Sequence, residues 1–493
     1  MILWQKYLNS FQINASRTAF CIENRTYTYS DFTALVSGSQ QLLIKALKGE
    51  SGLPIGVVCH DSIETFAAIF AIWFSGCHFV PLHPYHPIAV NNEKIQDAKI
   101  SIVFSSKTTT EYDSTKAQLI INKENKSKTP LQIFPEQHLA YILFTSGSTG
   151  NPKGVPISVQ NLHAFINGFL DIYPDLSSDD RFLQTYDLTS DAAFTGYLVP
   201  LFIGATVFTI SPTAIKYLAI VKQLGEYQIT WTQFTPSVMN YLRPYMKSLR
   251  FEKLKHSHFG GESLPLDLVK EWSNCVPNAE ISNIYGPTET TITCTIYRST
   301  LDQLCLHTHN GQVSIGKPLK EVKILIVDEN SAILPDGETG ELCIGGPQVM
   351  ERYLQSDSIS HFLINEDERY YRSGDLVFRD KDGFLMFCGR KDEQLKINGY
   401  RIEPAEIERA ISLATDGLKN RVFGFKKKDG MDTMVAFVEK YDKRPDELKE
   451  ALRSLLSSAF IPENIIVISQ FPLNTNGKID KSQLFQDYST QLI

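Results

Sequence analysis

The segment YILFTSGSTGNPKGVPIS, Tyr141 to Ser158, sets an apolar run, Ile142 to Phe144, directly against hydroxyls, glycines and one lysine, Lys153. Glycines let a backbone reach positive φ and bring its N–H groups close to an anion. The hydroxyls of Thr145, Ser146, Ser148 and Thr149 can donate to phosphoryl oxygens, Gly147 and Gly150 free the chain, and Lys153 adds a mobile positive charge. A Walker loop would end in Gly-Lys-Ser/Thr, whereas Lys153 follows Pro152 and precedes Gly154, so that motif is excluded. Alone, the segment reads equally well as a Gly/Ser turn between a strand and a helix.

The chain has 493 residues, more than one ordinary core supports, so two or more domains are expected. A composition of 43% hydrophobic and 21% charged residues is that of a globular protein rather than a disordered one. The net charge of -7 argues against a general nucleic-acid binder, which would carry a basic field. Eight cysteines between Cys21 and Cys388 form no CxxC pair and no zinc spacing, and read as buried thiols of a reducing compartment. The start, MILWQKYLNSF, lacks the long apolar run of a secretory signal. FAAIFAIWFSGCHFV, Phe66 to Val80, is shorter than the ~20 residues of a membrane span. Gly76 interrupts it, so it reads as a buried helix leading into a strand. A cytoplasmic protein with neither membrane nor nucleic-acid partner is expected.

Helical patterns alternate with the strand runs LPIGVVC, ISIVFSS, ATVFTIS and AEISNIYG, which predicts α/β layers with mostly parallel strands. From about Val322 the texture changes. VKILIVDENSAILPDGETGELCIGG is two strand runs around Gly/Pro/Asp turns and predicts β-hairpins. After the charged link GRKDEQ come the helix EPAEIERAISLA, the hairpin RVFGFKKKDGMDTMVAFVEK and the helix PDELKEALRSLLSSA. A boundary at the link divides the chain into residues 1–391 and 392–493, the second a small α+β unit.

TSGSTGNPKG resembles the phosphate loop of the adenylate-forming (ANL) superfamily, and four further motifs follow in that family's order. NIYGPTET, Asn283 to Thr290, resembles its adenine and magnesium motif, and YYRSGDL, Tyr370 to Leu376, its ribose motif. GRKDEQLKINGYRIEPAEIE, Gly389 to Glu408, resembles the hinge and start of a mobile lid. NTNGKID, Asn474 to Asp480, resembles the lid loop with the catalytic lysine. The resemblance implies a large N-terminal domain of two α/β subdomains and a distorted β-barrel, followed by a small α+β lid. It implies ATP and Mg²⁺ as cofactors. Tyr285 would offer a face to adenine and Asn283 a carbonyl to its amine, with Gly261, Glu262 and Gly286 beside them. Thr288 would donate to the α-phosphate, Glu289 ligate Mg²⁺, Asp375 accept from the ribose, Arg390 contact ribose or phosphate, and Lys478 bridge the reacting groups.

Within the family, GGESLP, NIYGPTETTIT and NTNGKIDK resemble amino-acid adenylation domains and D-alanyl carrier protein ligases more than CoA ligases. In TYDLTSDAAFTGYL, Asp191 aligns with the aspartate that holds the substrate ammonium; Asp187 is the alternative register, and capping of the next helix the plainer role. The alignment makes Ala192, Thr195, Gln233, His258, Gly260, Ile284, Ile292 and Thr293 the pocket walls, with Gln233 and His258 able to satisfy a polar side chain. Gly260 stands where D-alanyl ligases carry a bulky thiol. It is expected to leave that room open and to admit an L-amino acid. Two departures, His83 for an aspartate and Val159 for a histidine, remove no catalytic group. The expectation is a free-standing, monomeric amino-acid ligase acting on the phosphopantetheine arm of a separate carrier protein, with Lys419, Arg421 and Lys426 to Lys428 as a basic docking patch. An acyl- or aryl-CoA ligase and a non-catalytic nucleotide-binding relative are the competing readings.

Overall fold

The computed structural model describes residues 3–107, 112, 117–135, 138–146, 152–211, 214–354, 359–427, 432–472 and 479–489. Two large sheets organise the first part. One has, in spatial order, Ala117–Ile120, Ile102–Ser105, Pro54–Val58, His78–Leu82, Leu139–Thr145 and Lys153–Ser158. Its strands are parallel up to the last, which is antiparallel to Leu139–Thr145. The TSGSTGNPKG loop therefore joins two strands, and the helix Val159–Ile172 follows the second.

The other sheet has a parallel centre: Glu280–Tyr285, His256–Gly260, Trp231–Phe234, Arg181–Gln184, Thr206–Thr209 and Thr18–Ile22. Antiparallel strands close both edges. The four strand runs anticipated from the sequence are all strands here.

Helices between the sheets must be apolar all round. Helix Ile63–Phe74 is buried at every residue and leads into His78–Leu82, as its sequence predicts. Helix Ala192–Ile203 is buried over most of its length. One apolar cluster joins Phe79 and Tyr141 of the first sheet, Phe182 and Trp231 of the second, and Phe70, Trp73, Phe194 and Tyr197 of the helices. Trp4 of the N-terminal helix stacks on Trp73 at 4.6 Å.

From Lys323 on, antiparallel strands form a curled five-stranded sheet. The long strand Glu368–Arg379 pairs with Gly340–Gly345 on one side and with Phe362–Asn365 and then Leu385–Arg390 on the other. A register shift between Leu376 and Val377 bends it, and beyond the bend Asp375 faces Arg390. The last part holds the sheet Asn420–Lys426, Asp432–Glu439, Asn464–Ile468, flanked by Pro404–Ala414, Pro445–Leu452 and Lys481–Asp487, with apolar clusters of its own. The architecture is the expected α/β plus α+β. Among the described residues, no helix is long and apolar enough to cross a membrane. All eight cysteines are unbridged, six of them buried.

Candidate active site

In an open parallel sheet, ligands gather outside the carboxyl ends of the strands. Here Thr145, Gln233, Gly260 and Tyr285 stand at or near such ends, and Asp191 heads the helix that follows Arg181–Gln184. Thr145, Asp191, Thr288 and Arg390 line one cavity of about 250 Å³.

Asp191 makes no side-chain capping bond, although it occupies the N-cap position. Its Oδ2 is closed off from solvent and has no partner. Burial pushes its carboxyl up to about 6, with the Thr288 hydroxyl pulling the other way. Asp187 is different. It accepts from His83 Nε2 at 2.7 Å and from the Thr189 backbone and hydroxyl at 2.8 and 2.7 Å. Burial alone would raise it, but these donors hold it well below the ordinary carboxylate range. Of the two aspartates, Asp191 is the one with an open oxygen.

Ala192, Gln233, Gly260, Ile284, Ile292 and Thr293 line the cavity around Asp191. Thr195 and His258 are not on its wall and are fully buried behind it. The His258 ring lies 4.6 Å from Trp231 and 5.1 Å from Tyr173, and its Nδ1 is 3.3 Å from the Thr232 carbonyl oxygen. Gln233 Oε1, Thr195 Oγ1 and His258 Nε2 all lack partners. Gly260 does not leave room, contrary to the expectation. A Cβ there would meet Ile284 Cγ1 at 2.6 Å and the Ile284 carbonyl oxygen at 2.9 Å, because the neighbouring strand already fills the place of a bulky thiol.

Ile292 adopts φ 70°, a left-handed conformation costly for a β-branched residue. Gln348 clamps that turn, its amide donating to the carbonyls of Thr290, Thr291 and Thr293 at 3.2, 3.3 and 2.8 Å. Gly286 lies under the same turn, where a Cβ would meet the Ile292 oxygen at 2.5 Å. Gln348 carries no motif signal, and sequence reasoning missed it.

A second cavity of about 530 Å³ is lined by Asn283, Tyr285, Ile315, Phe387 and Arg390. The Asn283 amide N–H groups go to the carbonyls of Val313 and Ser314 at 3.2 and 2.9 Å, which leaves its carbonyl to accept. Asp375 accepts from the Tyr285 hydroxyl at 2.5 Å and pairs with Arg390. Arg390 also holds Asp392, at 2.6 Å. Lys153 sits with its Nζ 5.3 Å from the Tyr353 ring. Gly147, Ser148, Thr149, Gly150 and Lys478 lie outside the described residues.

The turn at Asn398 and Gly399 reaches several of the expected site residues. Asn398 and Gly399, at φ 52° and 82°, close the hairpin Leu395–Ile397/Tyr400–Ile402 over the first cavity. The Gly399 N–H donates to Glu262 at 2.8 Å, and Glu262 also accepts from the Ser237 N–H and hydroxyl at 2.9 and 2.5 Å. Glu262 lines the second cavity, yet its carboxylate is spent on anchoring the turn. The Gly261 Cα is at φ 82°, and a Cβ there would come within 3.9 Å of Gly399.

Arg401, also missed by sequence reasoning, donates to both oxygens of Glu289, at 3.1 and 2.8 Å. The Ser146 hydroxyl holds the Arg401 carbonyl at 2.8 Å. Burial would raise Glu289, but Arg401 and the Tyr353 hydroxyl, 2.7 Å away, keep it below the usual range. The anticipated basic patch is internally neutralised. Lys419, Arg421, Lys426 and Lys427 pair with Glu439, Glu408, Asp432 and Glu463 at 3.6, 3.0, 3.0 and 2.6 Å. Lys428 lies outside the described residues.

Two cavities, the Asp375–Arg390 pair and the hairpin over the first cavity thus meet beside the carboxyl ends of the parallel strands. Residues 10–354 match the AMP-binding enzyme family, and the chain belongs to it. Zwittermicin A synthase ZmaJ of Bacillus cereus is 30% identical over 484 residues, covering 94% of this chain and 91% of that protein. Gramicidin S synthase 2 of Aneurinibacillus migulanus is 30% identical over 447 residues, 87% of this chain but only 10% of that much longer protein. The Vibrio cholerae adenylation domain AlmE, solved with glycyl-adenosine-5'-phosphate, superposes with a TM-score of 0.86 at 25% identity, over 100% of this chain and 98% of that one. An o-succinylbenzoate CoA synthetase of Bacillus subtilis shares the fold at TM-score 0.85 and 20% identity, over 98% of each chain. The protein is an adenylate-forming enzyme with the fold of an adenylation domain, and ATP is its nucleotide.

Proposed function

We propose that the protein activates an amino acid as its aminoacyl-adenylate, releasing pyrophosphate, and passes the acyl group to the phosphopantetheine thiol of a carrier protein. The observation that carries this reading is Asp191, a carboxylate with one closed-off, unpartnered oxygen on the wall of the acid cavity. A buried carboxylate needs a cation, and the α-ammonium of an amino acid supplies it. A plain fatty or aryl acid would leave Asp191 unpaired. The AlmE complex holds an aminoacyl-adenylate of this class.

In this reading Tyr285 and Asn283 hold adenine, and Asp375 and Arg390 hold ribose. Thr145 and Ser146, with Gly147 to Gly150 and Lys153, cradle the phosphates. Thr288 donates to the α-phosphate. Attack by the substrate carboxylate is then a matter of positioning and charge neutralisation, with Lys478 carried in on the lid.

Glu289 fits a divalent cation, being a fully buried carboxylate already built to neutralise a positive charge. When bound, Mg²⁺ supplies neutralisation of phosphate charge. Arg401 and the metal would compete for the same carboxylate, so the arrangement with Arg401 on Glu289 belongs to the second step, after pyrophosphate has left. Residues 392–493 act as the lid, hinged at Asp392.

ATP–pyrophosphate exchange across the standard amino acids, D-alanine, and fatty and aryl acids tests the reading. Exchange that depends on an α-amino acid is the expected result. Exchange with only amine-free acids would make the protein a CoA-ligase-like enzyme instead.

A further inference from the structure

Part of the wall of the acid cavity is built on strained backbone. Ile292 and Thr293 line the cavity together with Asp191. Thr291 and Ile292 stand in succession at φ 60° and 70°. Both are β-branched, and the left-handed region is costly for such residues. A strained pair of this kind persists only where its surroundings over-determine it.

Gln348 supplies that restraint. It is 1% exposed and lines neither cavity. Its amide nitrogen lies 3.2, 3.3 and 2.8 Å from the carbonyl oxygens of Thr290, Thr291 and Thr293. A side-chain amide has two N–H donors, so both are committed to this turn. Its Oε1 has no partner among the described residues. Gln348 therefore acts as a donor alone, and leaving a buried amide oxygen unsatisfied is a cost that only the turn offsets. The Thr291 hydroxyl completes the clasp by donating to the Gln348 carbonyl oxygen at 2.6 Å.

The clamp is anchored away from the acid cavity. Asn161 Nδ2 donates to the carbonyls of Pro347 and Val349, at 2.7 and 3.1 Å, on either side of Gln348. Asn161 belongs to the capping box that starts helix Val159–Ile172. Without the amide donors, three carbonyls lose a partner and the turn is free to relax toward negative φ. Backbone rotation at Ile292 redirects its side chain, and a close-packed wall registers a shift of one methylene. Asp191 stands on another element, at the head of helix Ala192–Ile203, and keeps its place.

We propose that Gln348 sets the amino-acid selectivity of the acid cavity by holding Ile292 and Thr293 in place from behind the wall. This rests on the amino-acid reading above. Gln348 is a positioning residue, since it acts on the substrate only through the turn that it clamps.

The experiment measures ATP–pyrophosphate exchange in the full chain with the preferred amino acid and with its homologue one methylene longer or shorter. A packed apolar wall separates such a pair by about 10- to 200-fold in kcat/KM. Gln348→Met keeps the volume and removes both donors, and that ratio should then fall at least about fivefold. The loss should appear in the KM values of the two amino acids, with the KM for ATP moving far less. Thr291→Val removes the answering hydroxyl at nearly constant shape and should lower the same ratio by a smaller factor. It decides the matter if Gln348→Met does not fold. A merely structural role would reduce the active fraction equally for both substrates and leave their ratio alone. An unchanged ratio in the folded variants therefore overturns the proposal. Failure of the amino-acid reading shows itself separately, as wild-type exchange with amine-free acids only, and the clamp is then judged by the same ratio between two such acids.

Discussion

Asp191 sets the balance between stability and function at this site. Its carboxyl sits near pH 6 because burial disfavours the charge. A raised carboxyl pKa works against the folded protein: the penalty is fully present above about pH 6 and is relieved as pH falls toward the unfolded value near 4. Two pH units correspond to about 3 kcal/mol at most. Asp191→Asn should therefore stabilise the free protein at pH 7 by up to that amount while exchange collapses. Thermal melts at pH 7 and pH 4.5 check the first part, since the gain should shrink at the lower pH. The amino-acid KM of the wild type should rise as pH drops below 6. A flat KM between pH 7 and 5 would mean that the ammonium binds elsewhere. Beside Asp191, the open acceptor Gln233 Oε1 on the cavity wall favours a substrate whose neutral side chain donates a hydrogen bond. His258, behind that wall, is kept neutral by burial, far below its ordinary range. Such a substrate should exceed its apolar isostere by roughly 10-fold or more in kcat/KM, since an unpaired buried polar group costs about 1–3 kcal/mol. Paired assays of serine against alanine and threonine against valine read this directly.

The Asn398–Gly399 turn lines the same cavity as Asp191. Gly399 has φ 82°, and a Cβ there would strike Thr235 Cγ2 at 2.7 Å. Gly399→Leu should therefore exclude the turn from its seat. Carrier loading should fall at least about 100-fold, whereas pyrophosphate exchange, made with the turn withdrawn, should stay within a few-fold. Loss of both activities would show that the seat is needed for adenylation as well. The hairpin itself went unread, although Asn-Gly between strand residues is a local signal for one. The buried helix Ile63–Phe74 and the strand that places Tyr285 were legible, because their apolar runs are local signals. What the hairpin touches was not legible. The bonds from Ser146 to Arg401 and from Arg401 to Glu289 cross 255 and 112 positions, and no periodicity encodes them. The filling of the space beside Gly260 by Ile284 is equally hidden, since it depends on register between two parallel strands. Thr195 and His258 aligned with pocket walls yet stand one layer deeper, because alignment gives sequence position and not depth.

On the proposed reading the chain is a core that binds and a lid that presents two faces in turn, and Glu289 lets the two faces be told apart. Glu289 is paired with Arg401 in the described arrangement. The lid loop with Lys478, outside the described residues, would serve the other arrangement. One charge at about 4 Å in a medium of effective dielectric near 20 contributes about 4 kcal/mol. Lys478→Ala should accordingly slow adenylation by about a thousandfold. Supplied with preformed aminoacyl-adenylate, the same variant should load the carrier at nearly the wild-type rate. Arg401→Ala should show the opposite bias. It frees Glu289 for magnesium, so adenylation should persist at equal or lower Mg²⁺, but the seated turn loses its anchor and transfer should slow. Single-turnover rates of each step in both variants, over a magnesium titration, provide the test. If the two variants damage both steps equally, with no change in magnesium dependence, then core and lid do not alternate. Glu289 would then be a structural partner of Arg401 rather than a carboxylate shared between the lid and the metal.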